Sequence, residues 1–315
     1  MNSDFMNSRH VIAKAWEFTR ENKPLMWWYA FIPSVLTTLI GILYLLYQFF
    51  SFKRSPLFDN APHSFIADVI STTVNFLSKN TNLLVPAIII TIIVLILYAL
   101  LPTLCQGGLI QIIAKKYKNE EVKTSDGISY GMLVFLPLLE YHLLIKSFSI
   151  VSLFTEAGFI VRNLGTDAVK TLLPIFILAT IAGLILTLIF TYSEFFIVLG
   201  KKPVLKSMGR SAKLVILSWQ HTLLIAILML IISVRVIINI IAVLLVPAMI
   251  FFATGLAATL TMANIGIALG ILIGLFGLFA ASYFTGILNV FANAVWTFTF
   301  LELMNEKRTQ EFFTE

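Results

Sequence analysis

The chain has few residues that could do chemistry, and the first pattern among them is a histidine followed by an aspartate. The stretch HSFIAD places His63 and Asp68 at the His-x4-Asp spacing used in acyl transfer. In such a pair the carboxylate orients an imidazole that takes a proton from a hydroxyl group. Two matching positions in six residues are weak evidence, and both residues fall in a polar connection between apolar runs. We therefore interpret them as a solvated loop pair.

A second group of titratable residues is Glu140, His142 and Lys146, at one end of a long apolar run. His142 and Lys146 are one helical turn apart, so they share a helix face. Long polar side chains at such a position ordinarily extend toward water, and we favour this interpretation over a proton relay. The chain has no His-Glu-x-x-His or Walker motif and no cluster of metal ligands. We therefore predict a protein that is not an enzyme and that binds no cofactor or metal.

The strongest concentration of charge is basic and lies in residues 200–220, GKKPVLKSMGRSAKLVILSWQ. Wound as a helix, this stretch places Lys202, Lys206, Arg210 and Lys213 on one face, at steps of 4, 4 and 3. Such a helix lies at a bilayer boundary, with its cations against anionic headgroups. We predict that these four residues contact lipid headgroups, and we favour this role over a specific phosphate-ligand site. The opposite face is apolar and consists of Leu205, Met208, Ala212, Val215 and Trp219.

Two opposite charges, Glu156 and Arg235, fall inside long apolar runs. A cation near the middle of a bilayer costs about 2.5–3.5 kcal/mol on insertion scales, so it normally faces other helices and finds an anion or water. We predict an intramembrane ion pair between Arg235 and Glu156. A water-filled cavity or a bound lipid phosphate near Arg235 is the first alternative, and extension of its side chain to the far interface is the second.

Composition defines the elements that must position these residues. The 315-residue chain is 59% hydrophobic and 12% charged, whereas a soluble domain is about half apolar and roughly a quarter charged. Its apolar runs exceed the roughly 20 residues that cross a bilayer as a helix, and they do not alternate in polarity as barrel strands do. We therefore predict an all-α polytopic membrane protein with six transmembrane helices. The spans are expected at about 24–48, 83–105, 138–160, 171–193, 219–248 and 265–298.

The distribution of basic residues predicts the orientation. Lys and Arg residues outside the spans number 15 in the two termini and the second and fourth connections, against 5 in the other connections. By the positive-inside rule both termini are cytoplasmic, and the net charge of +6 reflects topology rather than nucleic-acid binding. The tryptophans also map to the cytoplasmic side, where amphipathic rings favour the headgroup layer; they are Trp16, Trp27, Trp28, Trp219 and Trp296.

Two stretches of the chain resemble each other. Residues 122–135 and 204–217 share a valine, two serines and a glycine at a constant offset of 82. The N-terminal segment has a similar design, with Val11, Ala15 and Phe18 facing inward. We predict three parallel repeats, each a cytoplasmic amphipathic interfacial helix followed by a transmembrane hairpin. They form a single integral membrane domain, 1–315, with units at about 1–118, 119–200 and 201–315.

Small residues recur along the last span. Gly266, Gly270, Gly274 and Gly277 follow one another at steps of 4, 4 and 3. Such spacing lets another helix approach closely, and small residues promote helix association in lipid. We predict helix packing within the bundle at these four positions. A contact between two copies of the chain and a pore or gating helix are the alternatives.

The stretch YSEFFIVLGKKPVLKSMGRSAKLVILSWQHTLLI, residues 192–225, resembles the integral membrane proteins related to the glycerophosphoryl diester phosphodiesterase membrane domain. Residues 14–28 and 107–131 suit the same pattern, so the resemblance covers essentially the whole chain. It implies a six-helix protein of a bacterial-type inner (plasma) membrane, sometimes fused to a phosphodiesterase domain. That catalytic domain is missing here: no histidine is followed by Arg-Gly, and no polar segment is long enough to hold a barrel. The resemblance therefore implies no activity.

These features leave two hypotheses about function. The first is a non-enzymatic, membrane-organising or accessory protein that interacts with anionic lipid headgroups or with a partner protein. The second is a transporter or channel for an unknown, amphiphilic or lipidic substrate. Polar residues at mid-depth are few (Glu156, Arg235, Asn239, Asn289), which favours the first hypothesis or a lipidic substrate. The expected partners are membrane lipids, and a second copy of the chain or another membrane protein; an intramembrane enzyme is a distant third.

Overall fold

The computed structural model describes residues 8–53, 65–146, 150–234 and 263–305, and over these ranges the chain is helical and contains no strand. Within these ranges, five helices are long and apolar enough to cross a membrane, and the number rises to six if one bent pair forms a single span. The predicted all-α class is therefore confirmed, and the lengths and apolar character of these helices fit a multi-pass membrane protein.

The helices follow one another with short connections. The first long span begins with a proline, is wound as a π-helix for six residues and then continues as an α-helix. In chain order the elements are α1 (Ser8–Glu21), α2 (Lys23–Leu25), the π-helical segment (Met26–Phe31), α3 (Ile32–Lys53), α4 (Phe65–Lys79), α5 (Thr81–Tyr117), α6 (Asp126–Lys146), α7 (Ile150–Ile189), α8 (Ser193–Val198), α9 (Val204–Leu217), α10 (Trp219–Val234, as far as it is described) and α11 (Ala263–Asn305).

Three helices are longer than a bilayer is thick. Helices α5, α7 and α11 have 37, 40 and 43 residues, which corresponds to about 55–65 Å at 1.5 Å per residue, against a hydrocarbon core of about 30 Å. Helix α5 shows how the extra length is used. Its first half is apolar and exposed, whereas its second half is buried in the protein from Thr103 to Ala114. Helices α5 and α11 thus each have a half suited to lipid and a half that packs against protein.

The packed halves form two adjoining cores at one end of the bundle. The first core joins α1, the π-helical segment, α5, α10 and α11, and the second joins α5, α6, α8, α9 and the end of α11. Val11 and Ala15 of α1 are buried, as their spacing predicted. Lys14 of the same helix places its Nζ 4.2 Å from the centre of the Tyr117 ring, and Lys116 donates a hydrogen bond to Asn22. Helix α1 is therefore a packed part of the fold.

Glycines allow α5 and α6 to cross at very short range. A Cβ atom added at Gly108 would lie 2.2 Å from the carbonyl oxygen of Gly127, and one added at Gly131 would lie 2.3 Å from that of Leu104. Both contacts are with backbone, so no side-chain movement could relieve them. The sequence analysis considered glycine packing only in the last span and missed this crossing.

The helix ends differ from the predicted span ends in three places. Helix α5 continues twelve residues past the predicted end at 105. Helix α6 covers Asp126–Lys146, so the third span predicted at 138–160 is divided between α6 and α7, and the predicted connection at 161–170 is part of α7. The reason is that an apolar run marks the part of a helix that suits lipid. Intrahelical hydrogen bonds can continue in both directions wherever protein or water surrounds the side chains.

The predicted glycine seam lies on α11. At Gly274 no atom lies within 4 Å of the position that a Cβ would occupy, so a larger residue fits there. Gly277 is half-buried. Gly266 and Gly270 lie on the same helix, and their packing stays a prediction.

Candidate functional site

A polar cluster joins three helices in the packed half of the protein. The Glu194 carboxylate of α8 accepts a hydrogen bond from Gln106 Nε2 of α5 at 2.5 Å. Its other oxygen lies 3.1 Å from His142 Nε2 of α6. On the far side of the imidazole, Thr103 Oγ1 lies 3.3 Å from His142 Nδ1. We call these four residues the Glu194 cluster.

The elements around the Glu194 cluster explain its geometry. Thr103 and Gln106 are three residues apart on α5 and therefore lie on one helix face. Glu194 stands in the first turn of α8, where a carboxylate is favoured by the exposed N–H groups of a helix. The short helix α8 is anchored at its other end too, because Gln111 Nε2 donates to the carbonyl oxygen of Val198 at 2.7 Å.

The arrangement determines what the Glu194 cluster can do. A Nε2–H that donates to Glu194 leaves Nδ1 as an acceptor for the Thr103 hydroxyl, so the neighbours select the tautomer. The side chains of His142 and Glu194 are 27% and 22% exposed, so both are shielded but within reach of solvent. The sequence analysis interpreted His142 as extending toward water, and the structure adds a partner for it, the Glu194 carboxylate. Gln106 and Glu194 were not identified as site residues.

We expect Glu194→Ala to destabilise the protein by about 1–3 kcal/mol, because it leaves the donors of Gln106 and His142 without their acceptor. Chemical denaturation in detergent measures the loss. Glu17→Gln, an exposed carboxylate on α1, is the control and should change stability by less than about 0.5 kcal/mol. In a double-mutant cycle with His142→Asn, additive losses would show that Glu194 and His142 do not interact.

A second polar contact set fastens α9 and α10 to the end of α7. Ser211 of α9 donates to the carbonyl oxygen of Ile189 at 2.8 Å and accepts from the backbone N–H of Tyr192 at 3.0 Å. The Tyr192 hydroxyl lies 3.2 Å from Thr222 Oγ1 of α10. All of the side chains involved are buried. Tyr192 therefore links the turn before α8 to the two helices that follow it.

The serines of the proposed repeat lie in different surroundings. Ser207 and Ser211 of α9 are buried, whereas their counterparts Ser125 and Ser129 are exposed. Likewise Gly209 is exposed, whereas its counterpart Gly127 is packed against other atoms. The shared residues of the two stretches thus do not share an environment in the fold.

The four predicted headgroup residues do not all lie on one helix. Helix α9 begins at Val204, after Pro203, so Lys202 precedes it. On the helix, Lys206 and Lys213 are exposed and Arg210 is half-buried. The inward face differs from the predicted apolar face, since Leu205 is 75% exposed. The residues that α9 buries are Val204, Ser207, Met208, Ser211, Leu214 and Val215.

Lys202 instead lines a cavity of about 620 Å³ between α6 and the segment that joins α8 to α9. Two further charged residues, Glu140 and Lys201, line the same cavity. The remaining lining is apolar and consists of Leu133, Val134, Pro137, Ile197, Pro203, Val204 and Leu205. We call this space the α6–α9 cavity.

Comparison with family models, with curated proteins and with solved structures found no match to this chain. The resemblance to the glycerophosphoryl diester phosphodiesterase membrane domain therefore rests on the stretches quoted above. Functional inference must come from the geometry of the chain itself.

The other predicted site residues are placed as follows. Glu156 lies on α7 and is exposed, whereas Arg235 lies outside the described residues, so their ion pair stays a prediction. Asp68 lies in the first turn of α4, and His63 is also outside the described residues.

One motif was overlooked in the sequence. Residues 127–131, GISYG, have the Gly-x-Ser-x-Gly spacing of a nucleophile elbow, but that device needs a strand-to-helix turn. Here the pentapeptide lies within α6, where its glycines allow the crossing with α5.

Proposed function

We propose that this chain is a non-enzymatic protein of a bacterial-type plasma membrane that organises the membrane or assists a partner there by binding anionic lipid headgroups through α9. The observation that carries the proposal is the direction of α9. It meets α10 at 97°, with the break at Ser218. If α10 runs along the membrane normal, α9 lies in the plane of the membrane.

The distribution of side chains on α9 supports this orientation. Its inward face is packed on the second core, and Lys206 and Lys213 remain exposed. A helix in this position presents its cations to the headgroup layer, where each contributes on the order of 1 kcal/mol with anionic lipid. Arg210 is on the same helix and belongs to the proposed headgroup contact, whereas Lys202 precedes the helix and lines the α6–α9 cavity.

Aromatic residues support the same boundary. Trp16, Trp28 and Trp219 are each more than half exposed, on elements that enter the packed half. Exposed tryptophans favour the interface between headgroups and hydrocarbon. We place the packed half at the cytoplasmic boundary, with both termini cytoplasmic, and the exposed apolar halves of α5, α7 and α11 in the bilayer. Helix α1 comes before the first span in the chain, as α9 comes before α10. This shared order of elements supports the proposal of parallel units.

Lipid enrichment around the reconstituted protein tests the proposal. We expect full-length protein in nanodiscs of mixed phosphatidylglycerol and phosphatidylcholine to collect phosphatidylglycerol above its bulk fraction. Replacing Lys206, Arg210 and Lys213 with Gln should lower that enrichment by up to about fivefold per charge, which corresponds to about 1 kcal/mol each. Mass spectrometry of the retained lipid gives the ratio.

A charge on another element provides the matched control. Lys79 is exposed at the end of α4, in a connection predicted on the opposite side of the membrane from α9. Lys79→Gln should therefore leave the phosphatidylglycerol enrichment nearest α9 unchanged, whereas Lys213→Gln should reduce it. Equal enrichment around the wild type and the triple variant would contradict headgroup binding by α9.

A second candidate function, transport of an amphiphilic substrate, is favoured by the Glu194 cluster. It places a titratable pair, His142 and Glu194, between candidate spans, and paired ionisable residues inside a helix bundle are typical of transport pathways. Translocation of a fluorescent phospholipid across proteoliposomes tests this alternative. A rate equal to that of protein-free liposomes would exclude it, and a rate lowered by His142→Asn would support it.

A further inference from the structure

The α6–α9 cavity has a lining of mixed character. Its volume of about 620 Å³ falls within the range of about 300–1,000 Å³ that is typical of ligand pockets. The segment before α9 supplies two positive residues, Lys201 and Lys202, and α6 supplies a negative one, Glu140. The rest is apolar, with Leu133 and Leu205 among the lining residues. The cavity therefore offers sites for both signs of charge and for hydrocarbon.

The charged residues of the cavity do not neutralise one another. Among the described residues no N–O distance of 4.0 Å or less joins Glu140 to Lys201 or Lys202. Glu140 and Lys201 are exposed and Lys202 is half-buried, so a ligand that carries both charges can reach all three groups and form charge-assisted hydrogen bonds with them.

The backbone of the segment before α9 positions the two lysines that line the cavity. Lys201 has φ of 49°, a left-handed conformation that is uncommon for a residue with a side chain. A residue in this conformation often follows the end of a helix, and here it follows α8, whose Phe196 carbonyl oxygen accepts a hydrogen bond from the Lys202 N–H at 3.4 Å. The segment then enters α9 at Val204, whose first N–H groups add positive potential beside the two lysines. This wall of the cavity suits a phosphate.

The apolar wall opens to the surface of the protein. Leu133 is 74% exposed and Leu205 is 75% exposed, on two different helices that border the cavity. Both helices belong to the packed half that we place at the membrane boundary, so these side chains are suited to contact hydrocarbon. A ligand that enters from the bilayer can leave its acyl chains on them.

We propose that the α6–α9 cavity binds one zwitterionic aminophospholipid from the surrounding bilayer. Its phosphate lies against Lys201, Lys202 and the start of α9, its ammonium against Glu140, and an acyl chain against Leu133 and Leu205. This site rests on the membrane-boundary position in the proposed function. It differs from the headgroup contact of α9 in chemistry, because that contact selects net negative charge and this one selects an amine.

Lipid retention by the full chain tests the site. The protein in mild detergent is offered equal amounts of dioleoyl phosphatidylethanolamine, phosphatidylcholine and phosphatidylglycerol, and native mass spectrometry counts what remains bound. We expect one phosphatidylethanolamine per chain, retained about tenfold over phosphatidylcholine, because a primary ammonium donates charge-assisted hydrogen bonds that choline cannot. Glu140→Gln should remove this discrimination between the two headgroups.

Variants on the positive side separate binding from folding. Lys201→Gly combined with Lys202→Gln should lower phosphatidylethanolamine retention by about tenfold or more. The same variant should keep or raise the thermal melting temperature, because glycine adopts the conformation of Lys201 without strain. A drop in both retention and melting temperature would instead indicate a structural role for the segment and would overturn the proposal.

The cavity site and the α9 headgroup contact can be tested separately. Lys206→Gln with Lys213→Gln should lower phosphatidylglycerol enrichment and leave the single phosphatidylethanolamine in place. If enrichment fails in the wild type while phosphatidylethanolamine is retained, the proposed function is wrong and the cavity site stands. Equal retention of phosphatidylethanolamine and phosphatidylcholine by the wild type, or preferential retention of phosphatidylglycerol, would overturn the cavity site.

Discussion

Replacing Gly131 with alanine is expected to destabilise the protein by about 3 kcal/mol, the upper part of the usual range for atoms forced into a packed interior. The new Cβ would lie 2.3 Å from the Leu104 carbonyl oxygen and 3.2 Å from the Gly108 backbone nitrogen. Because both neighbours are backbone, α5 and α6 must move apart, and the contacts along their whole crossing weaken. Chemical denaturation in detergent measures the loss in the free energy of unfolding.

Gly209 provides the matched control for Gly131. It lies within α9, and no atom is within 4 Å of the position of its Cβ. Gly209→Ala should therefore stabilise the protein by about 0.5–1 kcal/mol, because alanine is the better helix former. The two substitutions add the same methyl group and are expected to have opposite signs. Destabilisation of similar size at both positions would contradict the close crossing of α5 and α6.

Hydropathy was sufficient to predict the helical class and the general position of most spans, but the third, predicted at 138–160, is divided between α6 and α7. It could not predict where the helices end. Helix α5 continues to Tyr117 because the residues after 105 pack against protein, and α7 runs unbroken through a stretch that looked like a connection. A span prediction reports the lipid-compatible part of a helix. The length that packs on other elements depends on tertiary contacts that no local pattern encodes.

The Glu194 cluster also depends on tertiary contacts that no local sequence pattern shows. Gln106 and Glu194 are 88 positions apart, and His142 and Glu194 are 52 apart, so no motif spacing joins them. One signal was available. Each of these residues is a polar side chain near an end of an apolar run, and the topology predicted from the sequence places all of those ends on one side of the membrane. Comparing polar residues at equal depth would have brought them together.

The glycine patterns show which local signals are specific. The regular glycine spacing in the last span predicted close helix packing, yet no atom lies within 4 Å of the position that a Cβ of residue 274 would occupy. The adjacent Gly107 and Gly108, with Gly127 and Gly131 four residues apart on the next helix, mark the close contact instead. Both patterns permit a close approach between helices. The second has a complementary small-residue surface on a neighbouring helix, a property of the helix pair that the spacing in one helix does not show.

The basic stretch separates into two parts in the structure, and this separation decides the function that we propose. As a continuous helix, residues 200–220 would present one cationic face. Lys201 and Pro203 interrupt the helix before Val204, so Lys202 turns into the α6–α9 cavity while Lys206 and Lys213 stay on α9. One stretch of sequence thus supplies a cavity and a surface, which are suited to different lipids.

Replacing Tyr192 with alanine should cost about 3–5 kcal/mol, as for other large aromatic residues in a core. The side chain is fully buried, and its ring lies 6.0 Å from that of Trp296 and 6.1 Å from that of Phe300. The resulting void would lie where the turn before α8 meets α9, α10 and α11. Chemical denaturation in detergent measures the cost. We also expect weaker phosphatidylglycerol enrichment, because α9 loses part of the support that holds it against the bundle.

Tyr192→Phe separates the ring from its hydroxyl group. Only the contact with Thr222 is lost, and the Thr222 hydroxyl keeps its hydrogen bond to the Ser218 carbonyl oxygen at 3.1 Å. The expected loss is therefore about 0.5–1 kcal/mol, the low end for a hydrogen bond whose partner stays satisfied. Phe76→Ala, which removes an exposed ring from α4, should cost less than about 1 kcal/mol and serves as the control. If Tyr192→Ala were no more destabilising than Phe76→Ala, Tyr192 would not be the buried link between α8, α9 and α10, and the in-plane position of α9 would lose its structural basis.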